Sequence, residues 1–142
     1  MELLLKNADV VPFVNLLQGA VASGKEARAV ARFRKILMNK FEQYSTDELE
    51  TLKEYCLLTE NGEVDVDENG IFTFLDGKKD EGTKALFELK NEECIVDLTE
   101  FKPFLDPLIN ALNNGCQDLQ GVQMDVLDNL VTKLENIGED DE

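Results

Sequence analysis

Apolar side chains recur at spacings of three and four residues in the segment from Gly24 to about Leu58. A helix has 3.6 residues per turn, so this spacing collects them on one side. The apolar side holds Val30, Phe33, Leu37, Phe41 and Tyr44, and the opposite side holds Lys25, Arg28, Arg32 and Lys35. The pattern predicts a long amphipathic helix whose apolar stripe is covered by the other elements of the fold.

Two places in this segment depart from the simple pattern. Arg34 falls beside the apolar stripe, so we expect its stem to be covered and its guanidinium to meet a carboxylate from another element. Residues 45–48, STDE, resemble a capping box, which predicts a kink there and a second helix to about Leu58. A continuous helix through Ser45 is the alternative, because serine and threonine are permitted inside helices.

The segments on either side of this helix give shorter signals. Glu2–Leu5 predicts a short strand, and Asn7 or Asp9 is a candidate N-cap for a helix that ends near Gly19. In residues 63–75, apolar and polar positions alternate on both sides of Asn69-Gly70. Asn-Gly between two alternating runs predicts a β-hairpin, with strands near 63–67 and 71–75.

The C-terminal third predicts more helix around one strand. We expect a helix over 78–91, a strand over 93–98, and a helix from Thr99 that Pro103 and Pro107 divide, its second piece starting at Asp106. A last helix is expected near 119–137. The fold class is therefore mainly α (α+β), in a single domain of residues 1–138 with an acidic flexible tail at 139–142.

Charge is the strongest feature of the composition. The net charge is −16, from 30 acids and 14 bases, yet residues 25–40 hold six bases and one acid. An acidic molecule of this kind is repelled by bare nucleic acid and by anionic lipid. No apolar run approaches the length that crosses a bilayer, and the N-terminus lacks the features of a signal peptide. We expect a protein that binds neither nucleic acid nor membrane.

The sequence has few of the residue patterns that catalytic sites use. There is no histidine, which removes Ser-His-Asp and Cys-His catalysis, and the three cysteines fit neither a disulfide framework nor a CxxC metal site. With 30 acids, any proposed pair of catalytic carboxylates is unselective. We therefore expect a protein that is not an enzyme and holds no cofactor or metal.

Two motifs resemble ligand sites. Residues 19–25 have the GxxxxGK spacing of a phosphate-binding loop, but Glu26 stands where a magnesium-binding hydroxyl belongs, and a helix is expected before the loop. Residues 65–76 nearly match an EF-hand calcium loop, with Asp76 in place of the final glutamate. Since the residues after that loop look extended, a hairpin turn with solvated acids is the preferred interpretation; weak calcium binding is the alternative.

Several segments stand in a characteristic order along the chain: LKNADVVPFVNLLQG, ARAVARFRKILMNKFEQ, DELETLKEYCLL, the DENG turn, IVDLTEF and LQGVQMDVLDNLVTKLE. In that order they resemble an uncharacterised family of small acidic proteins encoded by phages and prophages of Gram-positive bacteria. The resemblance implies a phage gene product of the host bacterial cytoplasm or of the virion, often from the structural or tail-associated genes, and it transfers no site residues.

Two functions follow as hypotheses. The first is a non-enzymatic module that binds a phage structural protein, a host protein or a second copy of itself, with Arg28, Arg32 and Lys35 as the partner contacts. It would act, for example, as a virion or tail-assembly accessory. The second is an acidic inhibitor whose carboxylates occupy the phosphate-binding groove of a host defence or nucleic-acid-binding protein.

Overall fold

The computed structural model describes residues 1–140, with side chains as far as Ile137. In that part of the chain there are five helices and one two-stranded antiparallel sheet, which confirms the mainly α (α+β) class. The residues group into two compact units. Unit 1 comprises 1–41 and the chain from 93 onward, and unit 2 comprises 42–92. The expected single domain over 1–138 stays a prediction.

The sheet joins two segments that are far apart in sequence. Strand β1 (Glu2–Lys6) pairs antiparallel with β2 (Glu93–Asp97), with Leu3 opposite Val96 and Leu5 opposite Cys94. Side chains alternate between the two faces of a strand, so these four face the core while Leu4 and Ile95 between them face outward. Both strands lie where the sequence predicts them.

Helix α1 (Asn7–Gln18) follows β1 with no connecting loop. The expected N-cap at Asn7 or Asp9 is therefore wrong, because Lys6 holds the N-cap position. The Asp9 carboxylate instead accepts the Lys6 backbone N–H at 3.0 Å, from the third helical position. That contact satisfies one of the amides that a helix leaves without an internal partner at its start.

Helix α2 (Gly24–Tyr55) is one helix, so the predicted division at Ser45 into two helices is wrong and the continuous alternative is right. The hydroxyl of Thr46 donates to the Glu42 carbonyl at 3.0 Å, and that of Thr51 donates to the Asp47 carbonyl at 2.9 Å. Both bond to the preceding turn of the same helix, where they cannot cap a new one.

Helices α4 (Lys102–Gly115) and α5 (Val122–Asp140) complete unit 1. The predicted division of α4 at Asp106 is wrong, although Pro107 does lie inside it. Proline cannot donate a backbone hydrogen bond, but burial of the apolar stripe on both sides of it outweighs that loss. The stripe continues through Leu105, Leu108 and Leu112. Of the predicted acidic tail, 139 and 140 belong to α5, and 141 and 142 lie outside the described residues.

The core of unit 1 draws on every one of these elements. Its fully buried members include large side chains of α1, α2, α4, α5 and the two strands, together with Leu98 directly after β2: Phe13, Phe33, Leu3, Leu17, Leu37, Leu98, Leu108, Leu112, Leu130, Leu134, Val10 and Val96. Burying one such side chain stabilises the fold by about 1.5–3 kcal/mol. In the described part of the chain, no helix combines the length and apolarity that a membrane crossing needs.

Unit 2 contains the end of α2, a turn and helix α3 (Lys79–Lys90), which lies within the predicted 78–91. The predicted hairpin turn is present, since Gly70 has a φ of 77° and its N–H donates to the Asp67 carbonyl at 3.0 Å. Around the turn the strands are reduced to isolated bridges, of which Val66 with Phe72 is the nearest.

The buried glycine of α3 yields a stability prediction. A Cβ at Gly82 would lie 2.5 and 2.8 Å from ring carbons of Phe74 and 3.0 Å from the Cβ of Tyr55. Alanine gains about 1 kcal/mol of helix propensity over glycine, but overpacking costs about 1–3 kcal/mol. We expect Gly82→Ala to destabilise unit 2 by about 1 kcal/mol net, with Thr83→Ala as the exposed control.

Urea unfolding followed by tyrosine fluorescence measures this, because both tyrosines, Tyr44 and Tyr55, belong to unit 2. A Gly82→Ala protein as stable as the unsubstituted chain would show that the helix does not approach Phe74 this closely.

The pKa of Tyr44 yields a pH prediction. Its hydroxyl donates to Glu48 Oε2 at 2.8 Å, and burial together with the Glu48 bond and charge raises the pKa of Tyr44 to about 12. A raised folded pKa means that this contribution to stability is complete below pH 10.0 and is lost as the pH rises through about 12. Absorbance titration of tyrosinate in a Tyr55→Phe background should give this late transition.

Glu48→Gln removes the charge, so the Tyr44 transition should move to lower pH, whereas Glu50→Gln should leave it in place. A Tyr44 phenol that ionises near pH 10.0 with Glu48 present would contradict the contact.

Candidate protein interface on helix α2

The basic side of α2 is exposed along its first three turns. Lys25, Arg28, Arg32 and Lys35 are all exposed, whereas Ala29, Val30, Phe33 and Leu37 are buried. The three predicted contact residues therefore share one accessible helix face. We call this set of four basic side chains the basic face.

One aromatic ring of α4 lies against the basic face. The Arg32 guanidinium carbon is 4.5 Å from the centroid of the Phe104 ring, and Lys25 Nζ is 5.6 Å from the same centroid. A cation over an aromatic face is attracted by the ring quadrupole, which contributes about 0.5–1 kcal/mol at an exposed site. The contact therefore restricts the Arg32 side chain before any partner binds.

Phe104 is itself held by the core. Its ring centroid lies 5.8 Å from that of Phe101, and Phe101 lies 5.8 Å from buried Phe33 of α2. Tilted pairs at this separation are favourable aromatic geometries. Three rings thus connect the buried side of α2 with the guanidinium on its exposed side, so the position of Arg32 depends on packing as well as on charge.

A groove of about 390 Å³ runs beside this contact. Arg32, Lys35 and Phe104 lie along it, together with the carboxylates of Asp97 and Glu100. The groove therefore presents both signs of charge and an aromatic surface. Arg28 does not line it, although it shares the basic face.

The Asp97 carboxylate is fixed by its neighbour in the sequence. Its Oδ1 accepts the Thr99 hydroxyl at 2.7 Å and the Thr99 backbone N–H at 3.0 Å. These hydrogen bonds favour the ionised form and hold the pKa of Asp97 below its ordinary value. The groove thus keeps a negative charge opposite its cations at neutral pH.

Arg34 lies away from this groove, in a shallow depression lined by small apolar side chains such as Ala20, Ala22 and Val30. Its side chain is half-buried, as expected for a residue beside the apolar stripe. A carboxylate partner is not found among the residues whose side chains are described, so that part of the expectation stays a prediction.

The segment with phosphate-loop spacing forms a helix end followed by a helix start. Gly19 is the C-cap of α1 and Gly24 is the first residue of α2. A phosphate-binding loop of this type follows a strand, where this segment follows a helix.

The calcium-like loop uses its own carboxylate internally. Asp67 Oδ1 accepts the backbone N–H of Asn69 at 2.8 Å and that of Ile71 at 3.0 Å. This is the turn-stabilising role that aspartate often has. Within the described residues no cluster of three or more metal-binding side chains is found.

The cations of this site follow from the sequence pattern, whereas the other wall of the groove does not. Helical spacing alone places Arg28, Arg32 and Lys35 on one face. Phe104 and Asp97 lie along the groove with Arg32 and Lys35 although more than sixty residues separate them in sequence, and no local pattern predicts that approach.

Comparison with protein-family models, with curated proteins and with solved structures finds no match to this chain. The resemblance to small acidic phage proteins stays a prediction.

A double-mutant cycle tests the cation–ring contact. We expect Arg32→Ala and Phe104→Leu to show a coupling of about 0.5–1 kcal/mol in the free energy of unfolding. Arg28→Ala with Phe104→Leu is the control and should be additive, because no ring contact of Arg28 is found among the described residues. Additivity in both cycles would exclude an energetic contact between Arg32 and Phe104.

Proposed function

We propose that this protein acts by binding another protein, without catalysis, as a phage or prophage product in the host cytoplasm or in the virion. Arg28, Arg32 and Lys35 are the contact residues. The observation that carries the proposal is the Arg32 guanidinium stacked on Phe104 at the edge of an open groove. A virion or tail-assembly accessory is the role we infer from the resemblance in sequence.

Binding requires that flexible side chains at the interface become ordered. Immobilising a flexible side chain at an interface costs about 0.5–1.5 kcal/mol. The ring already restricts Arg32, so part of that cost falls on folding instead of on binding. Arginine and aromatic residues are also the types that contribute most to the energy of protein interfaces.

The charges of the groove indicate what kind of surface fits it. Arg32 and Lys35 favour partner carboxylates, and Asp97 and Glu100 favour partner cations or amides. A partner with both signs is selected over a uniformly acidic or basic one, since like charges in contact are repelled. A folded phage or host protein, or a second copy of this chain, has such a surface.

The absence of catalysis is supported by the chemistry of the side chains. The sequence contains no histidine to serve as a base. Burial raises the pKa of the thiols of Cys56, Cys94 and Cys116, and a thiol with a raised pKa is a weak nucleophile at neutral pH.

The alternative is an acidic inhibitor of a host nucleic-acid-binding protein, and one observation favours it. Unit 2 has 15 acids and five bases, a net charge of −10, and all of its acids except Glu48 are exposed. Half of the acids of the protein thus belong to about a third of its residues. Such a surface attracts a basic groove in a strongly salt-dependent way.

Charge reversal separates these functions. The triple variant Arg28→Glu, Arg32→Glu, Lys35→Glu should lower recovery of the partner from infected host lysate more than tenfold, since three reversed contacts exceed the 1.4 kcal/mol that corresponds to a factor of ten. The matched control is Lys53→Glu, Lys78→Glu, Lys84→Glu in unit 2, which changes the net charge equally. The control should retain the partner, whether phage protein, host protein or second copy.

A third variant, Glu60→Gln, Glu63→Gln, Asp65→Asn, neutralises exposed acids of unit 2. Loss of the partner in this variant alone would replace the first proposal with the acidic inhibitor. A partner retained equally by all three variants would refute both.

A further inference from the structure

A second depression in unit 1 has a different composition. It lies between α1, the connector of residues 116–119 and the first turns of α5, with a cavity volume of about 450 Å³. Small-molecule sites commonly have volumes of about 300–1,000 Å³. None of the basic-face residues lines it, so it is independent of the proposed protein interface.

The walls combine apolar surface with side-chain amides. Leu16, Leu119 and Val126 supply apolar lining, and Asn15, Gln117 and Gln123 supply amides. Ligand sites commonly combine apolar lining with polar groups that fix the orientation of the ligand, and this cavity has both.

The fixed charge of the lining comes from a single residue. Asp118 lies at the cavity, and neither lysine nor arginine is among the described residues that line it. An anionic ligand would therefore meet a carboxylate with no cation to offset it. A cationic ligand would find a charge partner there, in a protein whose net charge of −16 attracts cations.

The hydrogen bonds of the amides leave acceptors free. Gln117 Nε2 donates to the Asn114 carbonyl at 3.3 Å, which leaves its Oε1 without a partner in the described residues. Gln123 Oε1 accepts the Gln120 N–H at 3.4 Å. Asn15 has no hydrogen bond of its side chain among these residues. A primary ammonium has three donors and no acceptor, so it matches the oxygens of Asn15, Gln117 and Asp118.

We propose that this cavity binds a small organic ammonium ion, with its aromatic or alkyl body on the Leu16, Leu119 and Val126 surface and its charge at Asp118. The apolar surface supplies contact area, and the carboxylate selects the charge. Neutral analogues bind more weakly, and carboxylate analogues bind least.

Asp118 allows a clean test of the charge. Its φ of 58° is the only positive value among the described non-glycine residues. Asparagine has the same shape as aspartate and tolerates this left-handed backbone equally well. Asp118→Asn therefore removes the charge without disturbing the connector. Asp128→Asn on α5 is the matched control, because Asp128 is exposed and does not line the cavity.

The experiment titrates three probes with the same phenyl ring and a similar chain length into the full chain: phenethylammonium, 2-phenylethanol and phenylacetate. Side-chain amide signals of Asn15, Gln117 and Gln123 in a ¹H–¹⁵N correlation spectrum report on binding directly. We expect affinity in the order ammonium, alcohol, carboxylate. Asp118→Asn should weaken the ammonium about threefold to fivefold, as for a partly exposed ion pair, and leave the alcohol unchanged.

A second readout uses the thiols. Cys116 lines the cavity and is half-buried, whereas Cys56 and Cys94 are buried, so alkylation should occur mainly at Cys116. Bound phenethylammonium should slow alkylation of Cys116 by iodoacetamide, and phenylacetate at the same concentration should not. The proposal is overturned if no probe shifts the amide signals at millimolar concentration, if phenylacetate binds as well as the ammonium, or if Asp128→Asn weakens the ammonium as much as Asp118→Asn.

Discussion

Burial of one side of α2 is the constraint on which the rest of the structure depends. Phe33 and Leu37 are removed completely from water and belong to the same core as the sheet and the helices α1, α4 and α5. Once that side is buried, the helical repeat leaves Arg28, Arg32 and Lys35 no position except the outside. The basic face is thus a consequence of packing. The packing of the core beneath α2 therefore also fixes the direction in which the basic face points.

The same constraint explains why the basic face has an aromatic neighbour. Phe33 packs on Phe101, and Phe101 packs on Phe104, whose outer side meets Arg32. Each contact is worth about a kilocalorie per mole or less. Together they order a charged side chain that would otherwise sample many rotamers. A binding surface on a packed helix is more sharply defined than one on a loop, because its side chains have fewer alternatives.

Local patterns predicted most of the elements and missed the contacts between them. The turn at Asn69-Gly70 and the helix from Val30 to Leu37 follow from short windows of sequence, and both are present in the structure, although the strands beside the turn are reduced to isolated bridges. Residues that often end a helix led to wrong predictions in two places. The hydroxyl of Thr46 bonds within α2, and Pro107 lies inside α4, whose buried stripe continues past it. Pairing of Glu2–Lys6 with Glu93–Asp97, like the approach of Phe104 to Arg32, depends on distant residues. No window of sequence contains both partners.

The most direct test of this account is a nuclear Overhauser spectrum of the protein in solution, with the phenylalanine rings assigned. If the buried side of α2 positions the basic face, the Phe33 ring protons should show cross-peaks to Phe101. Phe101 should in turn show them to Phe104, and the Phe104 ring to the Arg32 side chain. A Phe33 ring that shows cross-peaks only to residues of its own helix would contradict the central claim, because the basic face would then have no fixed support.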